Sequence, residues 1–442
     1  MPEMRDPEKG TKENEKRHFI TEKVVKPSLT RGQIARRILV LLLAAVIFGA
    51  VAAVSFAVTK PYADRLAGGT EVVEPSVSIP KDEPAEASAA AEAPTETAAE
   101  TESEPIEEKV QLALENYRYT MDDVNSLLAN LRAQAQTAAK GIVVVHSVQQ
   151  EVDWFDNPVE TTGVYAGVVI ADTSQELLIL TTEAAASQAD SIKVTFGDGK
   201  DVDARMKQKD TISGMAIVSV NVEELDEATL KSVEIMPLGN SYAVREGDLI
   251  AAVGGPAGIV SSVDYGFVSY VLKNAQMVDS QCRVLYSDIL ADVDKGTFFI
   301  NTSGELIGWA MKPLPGDGEG RSGVTQIMGV SDYKGILERL SNGLGAPCVG
   351  IVGQELSEAM AARGMPKGIY VVNAVTDGPA YNAGIQNGDI ITAIDNTKMT
   401  TMKDYLGKMD DLECGQLIHV TLERNGRDQY TQLEFQVTVG AR

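Results

Sequence analysis

The sequence is poor in histidine, cysteine and positive charge. Its 442 residues include three histidines and three cysteines, and 63 acidic residues outnumber 39 lysines and arginines, which leaves a net charge of −24. Nucleic-acid binding needs a basic surface. Beyond the first 37 residues the sequence has no basic patch. No nucleic-acid partner is therefore expected.

The few cysteines exclude several other classes of site. Cys282, Cys348 and Cys414 lie far apart and show neither CxxC nor metal-ligand spacing. The sequence therefore predicts no metal site and no cofactor. A disulfide between Cys348 and Cys414 stays open, because both residues fall in the last part of the chain, although the geometric demand on a disulfide is strict.

Residues 38–58 form one long apolar run of 21 residues without a charge. At about 1.5 Å per residue, a helix of this length spans roughly 30 Å, the thickness of a bilayer core. A buried helix would rarely be apolar all round, and the apolar region of a signal peptide is usually only about 7 to 15 residues long. The run therefore predicts a transmembrane helix in a single-pass protein of the cell membrane.

The charges before this helix orient it in the membrane. Five basic residues precede it without an intervening acid: Lys23, Lys26, Arg31, Arg36 and Arg37. Positive charge is retained on the cytoplasmic side of a membrane. Residues 1–37 are therefore predicted to be a cytoplasmic tail, and the domains that follow the helix are predicted to be extracellular or periplasmic.

Residues 59–108 are predicted to be a disordered acidic linker. Residues 71–108 contain twelve acidic residues and one basic residue, interleaved with alanine, proline, serine and threonine. Such a segment cannot bury enough apolar surface to offset its ordering entropy, and we expect it to have no binding role. A helical segment over residues 109–140 follows, in which four apolar residues recur at helical spacing: Met121, Val124, Leu128 and Leu131. Their face is expected to pack on the next domain, or to form a self-association seam.

From residue 141 the pattern changes to short β-branched runs separated by glycine, aspartate, asparagine and serine. Many strands with few helices predict a mostly β fold, an antiparallel barrel or sandwich. About 200 residues suit two small barrels side by side.

Several motifs in this part can be compared with a known family. The stretch PLGNSYAVREGDLIAAVGGPAG at 237–258, followed by GFVS at 266–269 and NTSGELIG at 301–308, resembles the start and the later strands of the second barrel of HtrA/DegP-like serine proteases, in the family's order. YAGVVI and LLILTT are similar to the strands that flank its catalytic histidine. The resemblance implies a chymotrypsin/trypsin-like double β-barrel over residues 141–342, in a protein that forms oligomers.

The family hydrolyses peptide bonds with a Ser-His-Asp triad, and this sequence departs from the family at all three positions. Where the family has LTNNHV, this chain has LTTEAA, which places Ala184 at the histidine. Gly214 stands at the aspartate, and Lys295 stands at the serine, or Gly296 with a one-residue gap. The positions of Ala184, Gly214 and Lys295 therefore predict a degenerate triad without a catalytic residue.

Other catalytic chemistry has few candidates. The three histidines fall in the predicted tail, on the first strand of this domain and in the last domain. A Ser-Lys pair around Lys295 is conceivable because a desolvated lysine acts as a base, but Ser287 and Ser303 are merely nearby. Phe298 and Phe299 replace small residues beside the family's nucleophile, which predicts a filled site.

Residues 343–442 resemble the PDZ domain that follows the protease in that family, on the motifs VGIVG at 349–353 and IYVVNAVTDGPAYNAGIQNGDIITAIDN at 369–396. A PDZ domain adds a peptide to a sheet edge, while free amides in a glycine-containing loop meet the peptide's terminal carboxylate. The resemblance assigns the loop and the edge strand to Val349, Gly350, Ile351, Val352 and Gly353. The opposite wall is a helix over residues 401–409, with three residues that line the groove or belong to the core: Met402, Leu406 and Met409.

Together these features predict a membrane-anchored HtrA-like pseudoprotease or scaffold. Its expected partners are C-terminal or unfolded peptides of exported proteins, bound through the PDZ domain, and copies of itself or active relatives in homo- or hetero-oligomers. One alternative is an active membrane-bound HtrA-like serine endoprotease in envelope protein quality control. A second alternative is a structural envelope protein whose groove is unused. The missing triad favours a protein that is not an enzyme.

Overall fold

A computed structural model of the chain describes residues 76–84, 118–152, 158–187, 189–314, 323–426 and 429–442. The predicted cytoplasmic tail, the predicted transmembrane helix and most of the predicted acidic linker lie outside the described residues. Within these described ranges, no helix is long and apolar enough to cross a membrane.

The first described helix, α1, spans Met121–Ala139. It begins at a capping box, in which Asp123 accepts the Thr120 amide at 2.7 Å and the Thr120 hydroxyl accepts the Asp123 amide at 3.4 Å. The predicted packing face is wrong in part, because Met121 is 71% exposed, and the buried residues are instead Ala135 and Ala138 near the C-terminal end. Small alanines at this end allow close approach to the barrels, whereas the N-terminal turns extend away from them.

Six antiparallel strands close into the first barrel, in the order β1-β2-β3-β6-β5-β4. Their bounds are Ile142–Val152 (β1), Pro158–Asp172 (β2), Glu176–Thr182 (β3), Ser191–Thr195 (β4), Asp201–Asp210 (β5) and Met215–Asn221 (β6). Two short helices accompany them, Glu183–Ser187 (α2) and Glu227–Ser232 (α3). Strand β3 is apolar on both faces, because Ile179 faces the barrel interior and Leu178 faces a core shared with the second barrel.

A second closed barrel has the order β10-β11-β12-β9-β8-β7. Its strands are Leu249–Gly254 (β7), Ser262–Met277 (β8), Ser280–Ser287 (β9), Thr297–Ile300 (β10), Leu306–Met311 (β11) and Thr325–Gly329 (β12), and the helix Lys334–Ser341 (α4) follows. The shared core holds Trp309 and Tyr333, whose rings meet edge to face at 5.8 Å. The sequence left a barrel or a sandwich open, and the structure has two barrels.

The last domain is built on a sheet with the order β14-β15-β16-β18-β19, with β17 beside β16 and a separate pair β13-β20. Its strands are Pro347–Cys348 (β13), Ile351–Glu355 (β14), Ile369–Ala374 (β15), Ile390–Ile394 (β16), Thr397–Lys398 (β17), Leu417–Asn425 (β18), Tyr430–Thr438 (β19) and Gly440–Ala441 (β20). Its helices are Glu358–Ala361 (α5), Pro379–Ala383 (α6) and Met402–Asp410 (α7). Gly384 ends α6 with a φ of 102°, as the sequence predicts for a glycine cap. Strand β14 is the first strand of this sheet.

The described piece of the predicted acidic linker is ordered, which corrects the prediction of disorder for these residues. The amide of Val77 donates to Asn342 Oδ1 at 2.8 Å, and Ile79 is buried in the shared core. Asp82 pairs with Lys334 at 2.9 Å, with both side chains largely buried. The prediction rested on the average charge of the linker. It missed two apolar residues, Val77 and Ile79, and it missed that Asp82 has a buried cationic partner.

All three cysteines are free, so the disulfide left open between Cys348 and Cys414 is not formed. Cys282 is buried, Cys348 is partly buried and Cys414 is exposed. Burial raises the pKa of Cys282 to about 12, and burial together with the nearby Asp279 carboxylate raises that of Cys348 to about 12.

Candidate functional site

Two of the three degenerate triad positions line a cleft between the two barrels, together with the residue before the third position. Ala184 at the start of α2, Gly214 before β6 and Asp294 before β10 line one cavity of about 270 Å³, which we call the cleft. The amide of Glu183 donates to the carbonyl of Gly214 at 2.7 Å and fixes two of these segments to each other. None of the described residues that line the cleft is a histidine. Ala184 and Gly214, which are thirty residues apart in sequence, are therefore neighbours in space.

The Lys295 side chain leaves the cleft. Its Nζ donates to the carbonyl of Val164 at 3.3 Å and lies 5.4 Å from the centre of the Tyr165 ring. Ser287 is fully buried at the end of β9, and Ser303 is exposed in the turn after β10. The structure therefore brings neither serine to Lys295 Nζ, and the Ser-Lys arrangement that the sequence left conceivable is not formed.

One of the two backbone amides that stabilise an oxyanion in trypsin-like proteases, the amide of the serine position itself, already has an acceptor here. Asp292 Oδ1 accepts the amide of Asp294 at 2.9 Å and the amide of Lys295 at 3.1 Å. This carboxylate belongs to the same loop, two and three residues before the amides that it accepts. A negatively charged reaction intermediate would have to compete with the Asp292 carboxylate for the Lys295 amide.

Phe298 and Phe299 do not fill the cleft, which corrects that prediction. Both side chains are fully buried on β10, Phe298 in the core between the barrels and Phe299 in the interior of the second barrel. Neither is among the residues that line the cleft. Successive residues of a strand point to opposite faces, so these two large side chains complete two hydrophobic cores and leave the cleft open.

Glu183 is a titratable group of the cleft that the sequence analysis did not assign. The Ser187 hydroxyl donates to its carboxylate, and Lys209 Nζ lies 2.9 Å away. Hydrogen bonding from Ser187, ahead of Lys209, holds the pKa of Glu183 below its usual value against the opposing effect of burial. The carboxylate is therefore a weaker base than an ordinary glutamate and is tied to two partners of its own domain, which does not suit a general base.

In the last domain, three consecutive amides converge on one carboxylate. The amides of Val349 and Gly350 donate to Asp279 Oδ2 at 2.8 and 2.6 Å, and that of Ile351 donates to Asp279 Oδ1 at 3.2 Å. We call Val349, Gly350 and Ile351 the carboxylate loop. Gly350 has a φ of 85°, a left-handed conformation that glycine adopts without steric cost. The loop that the resemblance assigned thus holds a carboxylate, from a residue that was not predicted.

The carboxylate comes from the turn between β8 and β9 in the second barrel, formed by Val278 and Asp279, which we call the hairpin tip. The amide of Asp279 donates to the carbonyl of Ile351 at 2.8 Å. Val278 forms an antiparallel bridge with Val352 on β14. The hairpin tip therefore pairs with the edge strand that the resemblance assigned to peptide binding.

Helix α7 provides the opposite wall. Met402 and Met409 are buried in the domain core, Leu406 packs against that core, and a Cβ built on Gly353 of the edge strand would lie 3.7 Å from Met402 Sδ. Leu406 and Met409 also line a cavity of about 230 Å³ together with Asp279. The three residues thus belong to the core, and two of them also reach the cavity beside the hairpin tip.

Tyr405 is the residue of α7 that the sequence analysis missed. Its hydroxyl donates to Asp279 Oδ1 at 2.7 Å, and its side chain is fully buried. Burial, and then the Asp279 carboxylate, raise the pKa of Tyr405 well above its usual value. Tyr405 lies three residues after Met402, so helical periodicity could have placed it on the same face. Asp279 had no comparable signal, because its partners are about seventy residues away.

Two closed six-stranded barrels with a cleft between them, followed by a domain with a carboxylate loop and an edge strand, define the class of trypsin-like domains joined to a PDZ domain. Comparisons with known proteins agree. A family model of the trypsin-like peptidase domain matches residues 165–308, and a PDZ domain model matches residues 347–435.

The chain is also similar to curated proteins. The chain is 25% identical over 285 residues to the serine protease Do-like HtrA of Lactobacillus helveticus, covering 61% of this chain and 67% of the relative. It is 26% identical over 274 residues to the periplasmic serine endoprotease DegP of Salmonella typhimurium, covering 61% and 56%. The chain thus spans little more than half the length of that DegP. It is similar to HtrA/DegP-type serine proteases and has a trypsin-like domain and a C-terminal PDZ domain.

Solved structures of HtrA-type proteases are also similar. The structure described as HtrA-type protease AlgW with decapeptide is 19% identical, covers 71% of this chain and 98% of its own, and gives a TM-score of 0.49. AlgW has also been solved with a tripeptide, at 20% identity and a TM-score of 0.48.

Proposed function

We propose that this protein is a membrane-anchored HtrA-like pseudoprotease, which binds peptides through its PDZ domain. The observation that carries the proposal is the carboxylate loop, whose three amides hold a carboxylate at 2.6–3.2 Å. The cleft supports the other half of the proposal. Ala184, Gly214 and Lys295 provide no imidazole, no carboxylate and no hydroxyl, the three groups that a Ser-His-Asp triad needs.

The location follows from sequence and relatives together. Residues 38–58 have the length and apolarity of a membrane span, and the DegP relatives are named periplasmic. We propose that the barrels and the PDZ domain lie on the outer side of the membrane, where the C-terminal or unfolded segments of exported proteins are the ligands. Mixed oligomers with active relatives would bring such ligands to a working protease.

The test is prolonged incubation of the full chain, purified in mild detergent, with a denatured protein, followed by mass spectrometry of new termini and of retained peptides. We expect peptides retained on the protein and no new termini beyond those of a blank. A Lys295→Ala variant prepared in parallel is the control for contaminating proteases. New termini that appear with the wild type and vanish with the variant would contradict the proposal and make Lys295 part of a non-standard active site.

An active membrane-bound serine endoprotease in envelope quality control is the second candidate, and the comparisons favour it. The matched relatives are serine proteases by name, and the cleft retains a cavity of about 270 Å³. This candidate requires a nucleophile outside the three triad positions. Covalent labelling of a single serine by a serine-directed probe would establish it, and the labelled residue would identify the nucleophile.

A structural envelope protein with an unused groove is the remaining alternative. It requires that no peptide with a free carboxylate binds, in contrast to the retained peptides that we expect. The binding measurement described in the next subsection distinguishes these two cases.

A further inference from the structure

We infer that Asp279 is an internal ligand of the PDZ groove, which a peptide with a free terminal carboxylate must displace in order to bind. The inference rests on the proposed function, because it describes a closed state of the groove that we propose binds peptides. The groove is closed by the chain's own hairpin tip, and peptide and hairpin tip exclude each other.

The hairpin tip makes the backbone contacts of a peptide that is added to a sheet edge. In strand addition the peptide's backbone pairs with the edge strand, and its last residue places a carboxylate among the loop amides. Asp279 supplies both groups, since its amide donates to the carbonyl of Ile351 at 2.8 Å and its carboxylate lies in the carboxylate loop. Val278, the preceding residue, pairs with Val352 in antiparallel register.

The Asp279 carboxylate is held by four donors. Three are the amides of the carboxylate loop, and the fourth is the Tyr405 hydroxyl at 2.7 Å. Asp279 is only 5% exposed. Hydrogen bonds to a charged acceptor are stronger than those between neutral groups, and a buried carboxylate without them would be very unfavourable. A free peptide carboxylate in solution therefore cannot reach these amides while Asp279 occupies them.

The contact is made between domains, so it can open without unfolding either one. Besides the pairing with β14 and the four donors to Asp279, Arg442 holds the hairpin tip, since its Nη1 donates to the carbonyl of Val278 at 3.2 Å. A peptide can offer the same three kinds of group, namely an amide donor, a strand backbone and a carboxylate. The cavity of about 230 Å³ next to Leu406 and Met409 leaves space for a ligand side chain.

The experiment compares Asp279→Asn with the wild-type full chain. Asparagine is isosteric and tolerates the left-handed φ of 51° at this position, so the turn can be retained while the charged acceptor is lost. The matched control is Asp264→Asn, an exposed aspartate on β8 that accepts the adjacent Tyr265 amide. The probe is an array of random heptapeptides with free C-termini, printed in duplicate as C-terminal amides. Hydrogen exchange of the amides at residues 349–351 is measured on the same samples.

We expect Asp279→Asn to bind free-carboxylate peptides at least tenfold more tightly than the wild type, because an occluded site lowers apparent affinity in proportion to its open fraction. Amidated peptides should show no gain. Exchange at residues 349–351 should accelerate at least tenfold and slow again when peptide is added. Tyr405→Phe, which removes one donor to Asp279 and retains the ring in the core, should give a smaller gain, about threefold. Asp264→Asn should match the wild type.

Two results would overturn the inference, and they differ in what they say of the proposed function. Equal peptide affinity in the wild type, Asp279→Asn and Tyr405→Phe would show that Asp279 does not compete, while peptide binding itself would stand. Binding by none of the variants, with exchange at residues 349–351 already fast in the wild type, would remove both the internal ligand and the peptide-binding function.

Discussion

The cleft and the PDZ groove each present backbone amides suited to an anion, and in each an aspartate of the same chain accepts them. At the cleft, Asp292 accepts two amides at 2.9 and 3.1 Å, from residues two and three positions further along. At the groove, Asp279 accepts three amides at 2.6–3.2 Å, from residues 70 to 72 positions away in another domain. The acceptors are chemically alike, but one is local and the other is not.

If the protein is a pseudoprotease with an occluded groove, as we propose, this difference separates a lost function from a closed one. A local turn such as the one at Asp292 forms with its own loop and has no second position to move to. A contact between two folded domains, such as that of Asp279, can open while both cores stay intact. The groups that would carry out hydrolysis are replaced at the cleft, whereas the groups that bind a carboxylate are all retained at the groove. On the proposed function, the activity of this protein therefore lies in the PDZ domain.

The largest expected effect tests whether Phe298, which follows the serine position, belongs to the hydrophobic core between the barrels. Phe298→Ala should lower the free energy of unfolding by about 3–5 kcal/mol, because it opens a cavity in the core between the barrels. The measurement is chemical denaturation followed by tryptophan fluorescence. Phe267→Ala, on strand β8 of the same barrel with the residue 51% exposed, is the matched control and should cost roughly 0.5 kcal/mol or less. Equal costs for the two variants would contradict the assignment of Phe298 to the core.

A second prediction tests whether the carboxylate loop needs its own backbone conformation. Gly350→Ala should cost about 1–2 kcal/mol, because alanine is strained at a φ of 85°, and its Cβ would lie 3.2 Å from Pro379 Cδ. The same change at Gly407, in α7 with no heavy atom within 4 Å of the built Cβ, should stabilise by about 0.5–1 kcal/mol.

Thermal unfolding and peptide affinity are the two measurements for this pair. The two alanines should shift the melting temperature in opposite directions, and only Gly350→Ala should weaken peptide binding. If peptide affinity were unchanged by Gly350→Ala, the loop would not be the binding element, and the comparison of groove and cleft would fail.

Much of the architecture could be predicted from local sequence. Strand runs and turn residues indicate a barrel or a sandwich, and the family resemblance implied two barrels and located Ala184 and Gly214, which line the same cleft. The resemblance also assigned the carboxylate loop, and Gly350 in it suits a close approach of the backbone. The predictions that failed were those that depend on contacts with residues distant in the same chain. The linker prediction ignored Asn342 and Lys334, which hold Val77 and Asp82.

Asp279 shows the same limit most clearly. A single aspartate in a two-residue turn is ordinary in sequence, and its meaning comes only from the domain that packs against it. Phe298 and Phe299 were assigned to the cleft because they follow the serine position, but the alternation of side chains along β10 directs them to two cores. Contacts across domains are set by tertiary packing, which periodicity does not encode.

The smallest expected effect uses a cysteine as a reporter of the closed groove. Burial, and then the charge and hydrogen bond of Asp279, raise the pKa of Cys348 to about 12, so its reactive thiolate is rare at pH 8. Asp279→Asn removes the charge but leaves the burial, which is the larger cause, so the pKa should fall only in part. We expect alkylation of Cys348 by iodoacetamide at pH 8 to accelerate a few fold.

Peptide mapping by mass spectrometry resolves this change, since the three thiols report separately. Exposed Cys414 should react at the same rate in the wild type and the variant, and buried Cys282, whose pKa is raised to about 12 by burial and by Asp332, should stay slow in both. Faster reaction of all three thiols would indicate general loosening of the fold. An unchanged rate at Cys348 would contradict the prediction, because it would mean that the Asp279 carboxylate does not raise the pKa of this thiol.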